Sequence, residues 1–327
     1  MKKAIIISGP TASGKSSLAL QMGDFRDIAI INADALQIYE GLPILSSQPT
    51  VADKKIASHS LYSYFAPEKS CSVGLWLELV KSTLEEVWRQ EKIPLIVGGS
   101  GMYISKLLDG ISEVPAIDEA VRTEAGELYK NLSREEFLQN LILLGDKSEI
   151  GAEIAEDKKM DAEILEGNLE NQNDRLKNLD KQRLIRAYEV LKQTGKTIFW
   201  WQSQPTKKIF DSQIFTHINL NPPREQLYKN CNSRFEIMLK TGAIEEVEAL
   251  ISKGLRDDLQ ITKTLGFLEI KDFLQQKITR EKMLEIASQK TRNYAKRQLT
   301  WFRHQFAEKN VFDDLELAKN FLITCGK

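Results

Sequence analysis

Residues 4–16 have the sequence AIIISGPTASGKS, an apolar run that ends in a glycine-rich turn. The run Ala4–Ser8 is rich in β-branched residues and is bounded by glycine, which predicts a buried strand of a parallel sheet. The turn that follows has the spacing G-x-x-x-x-G-K-[ST], and a helix is predicted from Lys15 to about Met22. Strand, turn and helix in this order are typical of a P-loop, which binds a diphosphate.

Each residue type in this turn suits a phosphate ligand. The glycines let backbone N–H groups converge on phosphate oxygens, and the helix N-terminus adds a favourable dipole. Lys15 is expected to neutralise the terminal phosphate, and the Ser16 hydroxyl to bind Mg²⁺, the expected cofactor. A chance glycine turn is the alternative interpretation, but the flanking strand and helix argue against it. The predicted diphosphate-binding residues are Gly9, Thr11, Ala12, Ser13, Gly14, Lys15 and Ser16.

Outward from this turn, the pattern predicts an α/β fold. Strands are predicted at Ile28–Asn32 and Pro94–Val97, with a helix at Leu75–Gln90 between them, as in a parallel sheet with ligand sites at its carboxyl edge. Residues 112–204 are densely charged and helical in spacing, and a strand returns at Phe215–Leu220. The predicted organisation is a P-loop NTPase-like parallel sheet core flanked by helices, at 1–111 and 205–327, with a helical insertion domain at 112–204.

Composition narrows the class of protein. The chain has 327 residues with a net charge of −1, so global charge alone does not indicate a nucleic-acid partner. Its three cysteines and three histidines are scattered, which argues against disulfides and a structural zinc site. No apolar run is long enough for a signal peptide or a membrane span. We therefore expect a soluble cytoplasmic protein with no membrane partner, and nothing in the sequence demands more than a monomer.

Asp34 follows the second predicted strand and is expected beside the P-loop. Three roles fit it equally from spacing alone: a general base, a carboxylate that orients magnesium, or the N-cap of a helix. A second glycine turn, Gly98–Gly101, follows the strand at Pro94–Val97. This turn either brings the Ser100 hydroxyl close to a ligand or is simply tight, and by itself it favours the tight turn.

A stretch near the C-terminus carries local positive charge. Residues 290–303 contain five basic residues and no acidic residue, with aromatic residues between them. Such a helix suits phosphates and the stacking of unpaired bases, although most charged runs are solvated faces with ion-pair partners. Arg183 and Arg186, on one face of another predicted helix, either extend this surface or form ordinary ion pairs.

Taken together, these segments resemble the tRNA dimethylallyltransferase (tRNA isopentenyl-diphosphate transferase) family, of the bacterial type that lacks a zinc finger. The resemblance covers most of the chain, and its motifs occur in the family's order. They are GPTASGKS (9–16), NADALQIYEGL (32–42), PLIVGGSGMY (94–103), LLDGISEVP (107–115), RLIRAYEVLKQTGK (183–196), NPPREQL (221–227) and TRNYAKRQLTWFR (291–303).

The resemblance implies that the P-loop binds dimethylallyl diphosphate rather than ATP. The implied acceptor is the N6 amine of the adenosine 3′ to the anticodon, flipped out of the tRNA anticodon stem-loop. By position, Asp34 is the implied general base, and Lys15 and Arg224 the other implied catalytic residues. The residues implied to contact tRNA are Asp34, Ala35, Leu36, Gln37, Ser100, Arg122, Gln182, Arg183, Arg186, Lys263, Gly266, Arg292, Lys296 and Arg297.

The sequence departs from the family pattern at several positions. Ala35 stands where a serine is common, which removes a hydroxyl beside Asp34. Ser58 and Ser60 flank a histidine where a proline and a second histidine are usual. Asn230 and Ser233 replace frequent arginines in the helix after NPPREQL, so its contacts with diphosphate or tRNA fall to Arg224 and Arg234.

Other functions are compatible with parts of the sequence. An adenylate isopentenyltransferase would use the same donor, but it needs neither a long helical insertion nor a basic C-terminal helix. A P-loop small-molecule kinase would turn over ATP without tRNA. A non-catalytic P-loop module would bind nucleotide only to regulate a partner.

Overall fold

The first strand of the fold is β1, Ala4–Ser8, and all five of its residues are buried. The structure is a computed structural model that describes residues 2–146, 174–306 and 310–324. β1 pairs in parallel with β4 (Ile93–Gly98) on one side and with β5 (Phe215–Leu220) on the other. A strand buried on both faces between two neighbours explains why its sequence is continuously apolar rather than alternating.

Six parallel strands form one sheet in the order β3-β2-β4-β1-β5-β6. The other strands are β2 (Ile28–Asn32), β3 (Ser58–Ser60) and β6 (Val311–Phe312). The pairing aligns Ser8 with Gly98 and Asn32 with Val97, so the loops after β1, β2 and β4 emerge at the same edge. The predicted α/β parallel sheet with a P-loop NTPase-like core is confirmed.

Helices cover the sheet and form the rest of the described chain. Before the insertion they are α1 (Lys15–Met22), α2 (Val51–Ile56), α3 (Val73–Arg89) and α4 (Gly101–Asp109). The next four are α5 (Glu119–Asn131), α6 (Arg134–Asp146), α7 (Lys181–Thr194) and α8 (Ile198–Ser203). The last five are α9 (Arg224–Lys240), α10 (Ala243–Ser252), α11 (Phe267–Leu274), α12 (Arg280–Gln305) and α13 (Leu315–Thr324).

The chain divides into two compact units. Residues up to Gly110 and from Lys208 onward form the sheet unit, and Ile111–Lys207 form the second unit. In the sheet unit, Leu18 and Met22 of α1 and Leu322 of α13 are fully buried in the core cluster that includes the sheet strands. This packing fixes the start of α1, and therefore the P-loop, against the sheet.

The second unit has its own apolar core. Phe137 of α6 and Leu184 of α7 are fully buried in it, together with Ala125 of α5. Asp180 caps α7 by accepting from the backbone N–H of Arg183, and Gly195 ends the helix in the left-handed conformation with φ of 68°. Residues 147–173 of the predicted insertion lie outside the described residues. Within the described residues, no helix is long and apolar enough to span a membrane.

Candidate active site

The P-loop joins β1 to α1 and needs glycine at both ends. Gly9 has φ of 148° and Gly14 has φ of 90°, and both values favour glycine. A Cβ on Gly9 would lie 2.6 Å from the backbone oxygen of Leu220, and one on Gly14 would lie 2.8 Å from the Leu315 side chain. Ala12 adopts φ of 63°, a conformation that L residues rarely take. The loop is thus held in one shape by close packing against β5 and α13.

Lys15 lies inside this loop with its ammonium group directed at the backbone. Its Nζ donates to the carbonyl oxygen of Pro10 at 2.6 Å. Burial lowers the pKa of Lys15 to about 7, and the negative charge of Asp34 opposes that shift. A ligand that brings negative charge next to Nζ would restore the full charge of the ammonium group, so the site is suited to an anion.

Asp34 follows β2 in a turn that its neighbours define. Its backbone N–H donates to Oδ1 of buried Asn32 at 2.8 Å, and its own Oδ1 accepts from the N–H of Leu36 at 2.9 Å. The N–H of Ala35 donates to Oγ of Ser100 at 2.9 Å, so the turn after β4 supports this one. The carboxylate caps a turn rather than a helix, and it faces a cavity instead of the protein interior.

The P-loop and Asp34 line one cavity of about 470 Å³ in the sheet unit. Besides the loop, the residues that matter for its chemistry are Asp34, Gln37, Tyr62, Arg234 and Gln298. An adjoining pocket of about 50 Å³ also reaches Asp34 and is lined by apolar side chains that include Phe235 and Met238, together with Tyr294. Burial and the negative charge of Asp34 raise the pKa of both Tyr62 and Tyr294, so each remains a neutral hydroxyl.

Three side chains from distant helices hold the P-loop from outside. Arg234 of α9 donates to Oγ1 of Thr11 at 2.6 Å, and Asn230, one turn earlier, donates to the carbonyl oxygen of Ala12 at 3.1 Å. Gln298 of α12 accepts from the N–H of Thr11 at 2.8 Å. The sequence motif contains none of these residues. The only signal for the α9 pair is their spacing of four along a helix, which puts both on one face.

Arg224, an expected catalytic residue, lies elsewhere on the surface. It is exposed, its Nε donates to Oη of Tyr228 at 2.8 Å, and it is absent from the residues that line the cavity. Arg234 is the arginine of α9 that meets the P-loop.

We expect Arg234→Ala to weaken the binding of inorganic diphosphate about tenfold, because the cavity loses a cation and Thr11 loses a hydrogen bond to a charged group. Titration calorimetry measures this affinity. Lys240→Ala, which removes an exposed cation from the end of the same helix, is the matched control. Equal affinities for the two variants would exclude Arg234 from the diphosphate site.

The expected tRNA contacts in the sheet unit occupy varied positions. Ser100 uses its hydroxyl to support the Asp34 turn. The Gln37 amide donates to the carbonyl oxygens of Ser46 and Ser47. Ala35 and Leu36 are partly exposed within the same turn, and Lys263 is exposed next to α11. Gly266, by contrast, is buried with φ of 92°, and a Cβ there would lie 2.6 Å from the Phe235 ring. Its position reflects packing.

The basic stretch of α12 divides between exposed and paired cations. Lys296 and Arg297 are exposed, and the Arg297 guanidinium lies 5.7 Å from the centre of the Tyr294 ring. Arg292 donates to Oδ1 of Asn232 at 2.7 Å. Lys290 forms an ion pair with the buried carboxylate of Glu269. The exposed cations that are available to a nucleic acid therefore lie in the second half of the helix.

The remaining expected tRNA contacts belong to the second unit. Arg122, Gln182 and Arg183 are exposed there. Arg183 lies 3.7 Å from a carboxylate oxygen of Asp180, and Arg186 forms an ion pair with Glu189 at 3.0 Å. Exposed ion pairs of this kind are weak, so these arginines remain accessible to stronger anions.

The oxygen ligands at the cavity suit Mg²⁺. Ser16 lies on the cavity wall with Asp34, and the Ser13 hydroxyl is buried there without a partner among the described residues. Described residues contain no cluster of three acidic, histidine or cysteine side chains that could hold a metal. Mg²⁺ does not require one, because it binds through one or two protein oxygens, the substrate phosphates and water.

An all-parallel sheet with a P-loop and a facing carboxylate defines the protein as a P-loop NTPase-like α/β protein with an anion site. Residues 37–305 match the family described as IPP transferase. The chain belongs to this family, as its motifs predicted.

The matching relatives cover nearly the whole chain. A tRNA dimethylallyltransferase of Ehrlichia chaffeensis is 39% identical over 325 residues, 98% of each chain. One of Wolbachia pipientis wMel is 39% identical over 311 residues, 94% of this chain and 95% of the relative. The tRNA isopentenylpyrophosphate transferase structure of Bacillus halodurans superposes with a TM-score of 0.64 at 26% identity and covers 98% of this chain and 96% of that one. A eukaryotic dimethylallyltransferase acting on tRNA shares the fold, with a TM-score of 0.66 at 22% identity, over 92% of this chain and 70% of that one.

Proposed function

We propose that this protein transfers the dimethylallyl group of dimethylallyl diphosphate to the N6 amine of the adenosine 3′ to the anticodon in tRNA. The observation that carries the proposal is the single cavity in which the P-loop and the Asp34 carboxylate face each other. The family and the names of its relatives supply the substrates. We further propose that the enzyme acts as a monomer in the cytoplasm.

Asp34 acts on the acceptor. The lone pair of an adenine N6 amine is delocalised into the ring, so the amine is a poor nucleophile until its proton is removed. Asp34 accepts this proton as the bond from N6 to the allylic carbon forms, while the bond from that carbon to the diphosphate oxygen breaks. General base catalysis of this type contributes about 10²–10⁴ in rate. The hydrogen bonds from the N–H groups around Asp34 orient its carboxylate for the transfer.

The P-loop acts on the leaving group. As the diphosphate departs, it gains negative charge, which the loop amides, Lys15 and Arg234 stabilise. Mg²⁺ held by the Ser16 hydroxyl and the phosphate oxygens would neutralise further charge. The allylic carbon has carbocation character during the transfer. The apolar pocket beside Asp34 therefore suits it, because it keeps water away.

The decisive experiment is incubation of the purified protein with labelled dimethylallyl diphosphate and unmodified tRNA. Label recovered in adenosine of the tRNA supports the proposal. A protein that hydrolyses or transfers phosphate from ATP and leaves the prenyl donor untouched is instead a kinase. If free adenine nucleotide becomes labelled in preference to tRNA, the protein is an adenylate isopentenyltransferase.

The exposed cations of α12 are proposed to bind the tRNA backbone. We expect Arg297→Ala to weaken tRNA binding and to lower the slope of log Kd against log salt concentration by about one, because one phosphate contact is lost. Fluorescence anisotropy at several salt concentrations measures both quantities. Arg280→Ala, an exposed arginine at the start of the same helix, is the control. An unchanged slope for Arg297→Ala would mean that this side chain does not contact RNA.

A further inference from the structure

Gln298 faces into the protein from a helix whose neighbouring cations are exposed. Its side chain is only 7% exposed. Both ends of its amide are in use: Oε1 accepts from the N–H of Thr11, and Nε2 donates to the carbonyl oxygen of Gly99, each at 2.8 Å. A buried primary amide with backbone partners on both sides is fixed in orientation and holds those partners relative to each other.

The two partners belong to two different loops of the site. Thr11 lies in the P-loop after β1, and Gly99 in the turn after the neighbouring strand β4. The turn after β4 supports the Asp34 turn, because the Ser100 hydroxyl accepts from the N–H of Ala35 and the Ser100 N–H donates to the carbonyl oxygen of Ala33 at 3.2 Å. One side chain therefore connects the diphosphate loop to the loop that carries the carboxylate.

Gly99 has a composition that matches this contact. Gly99 is not among the residues with positive φ, so its backbone does not require glycine. A Cβ at this position would lie 2.6 Å from Nε2 of Gln298, closer than real Cβ atoms approach. The absence of a side chain at Gly99 is what gives the Gln298 amide its place.

We infer that Gln298 is a positioning residue that holds the P-loop and the Asp34 turn in register, through Thr11 on one side and Gly99 on the other. Gln298 acts through the loop backbone, while Lys15 and Arg234 supply the cations. The consequence for turnover rests on the proposed function, whereas the consequence for diphosphate affinity follows from the loop geometry alone.

The test compares Gln298→Ala with Gln305→Ala, an exposed glutamine at the end of the same helix. We expect Gln298→Ala to raise the Kd for inorganic diphosphate about tenfold, because the loop loses a buried hydrogen bond and gains freedom. The turnover number should fall about 10²-fold through misalignment of the leaving group and base. The Kd for tRNA should stay within about twofold, as for surface changes elsewhere. An unchanged diphosphate Kd, or an equal loss of both affinities together with a lower Tm, would overturn the inference.

A second variant reaches the same contact from the other side and leaves Gln298 in place. Gly99→Ala should displace the amide and weaken diphosphate binding in the same way. In a Gln298→Ala background, where that amide is gone, adding Gly99→Ala should change the affinity by less than about twofold. Fully additive losses would overturn the inference. A wild-type protein that binds diphosphate but never transfers a prenyl group would sink the proposed function alone, since the diphosphate comparison still decides the role of Gln298.

Discussion

Asp34→Asn is expected to lower the turnover number about 10²–10⁴-fold, because the amide cannot accept the N6 proton as the new bond forms. The turn itself should persist, since an asparagine oxygen can accept from the Leu36 N–H as Oδ1 of Asp34 does. Binding of tRNA and of inorganic diphosphate should therefore change little. Single-turnover prenyl transfer with prebound tRNA isolates the chemical step from both binding steps.

Asp24→Asn is the matched control for this experiment, since Asp24 is an exposed aspartate after α1 and does not line the cavity. Asp34→Asn with a wild-type rate would remove Asp34 from the role of base. If its rate were normal and its Mg²⁺ requirement had changed, Asp34 would instead be a carboxylate that orients the metal. These outcomes separate the roles that spacing alone could not.

The fold was predictable where local pattern determines it. The strands at Ala4–Ser8, Ile28–Asn32 and Phe215–Leu220 are apolar runs bounded by turn residues, and the structure has them at those bounds. The edge strands β3 and β6 escaped prediction because they have three and two residues and lack an apolar run. Their pairing depends on the neighbouring strand at the edge of the sheet, which is tertiary information.

The site was predictable in the same measure. The P-loop and Asp34 are adjacent to strands, so the carboxyl edge of a parallel sheet brings them together. Arg234 and Gln298 are far from that edge in sequence and reach Thr11 only because α9 and α12 pack beside it. Helical spacing shows that residues share a face, but not which face meets the loop.

One departure from the family pattern also has a structural account. Asn230, which stands where arginine is frequent, donates to the carbonyl oxygen of Ala12, a residue with a left-handed backbone. A hydrogen bond at this point stabilises an unfavourable loop conformation. The substitution thus exchanges a charge for loop support, while Arg234 remains as the cation that contacts the loop. For Ala35, the backbone N–H is already satisfied by Ser100, so the loop does not need a serine hydroxyl there.

Lys15→Met is expected to lower turnover about 10²–10³-fold, as does the loss of one preorganised donor at a developing negative charge. Methionine has a similar length and no charge, so the cavity stays filled while the leaving group loses its cation.

The pH dependence of diphosphate binding tests the same residue without relying on turnover. In the free protein, burial holds the pKa of Lys15 at about 7, so at higher pH most molecules carry a neutral amine. Diphosphate favours the protonated form, so binding must take up a proton, and affinity falls as pH rises above 7, by up to about tenfold per pH unit. In Lys15→Met this component is absent, whereas the ionisation of diphosphate itself affects both proteins equally. Calorimetry in buffers of different ionisation enthalpy counts the proton directly. Equal proton uptake in the two proteins would show that the Lys15 ammonium group does not meet the diphosphate.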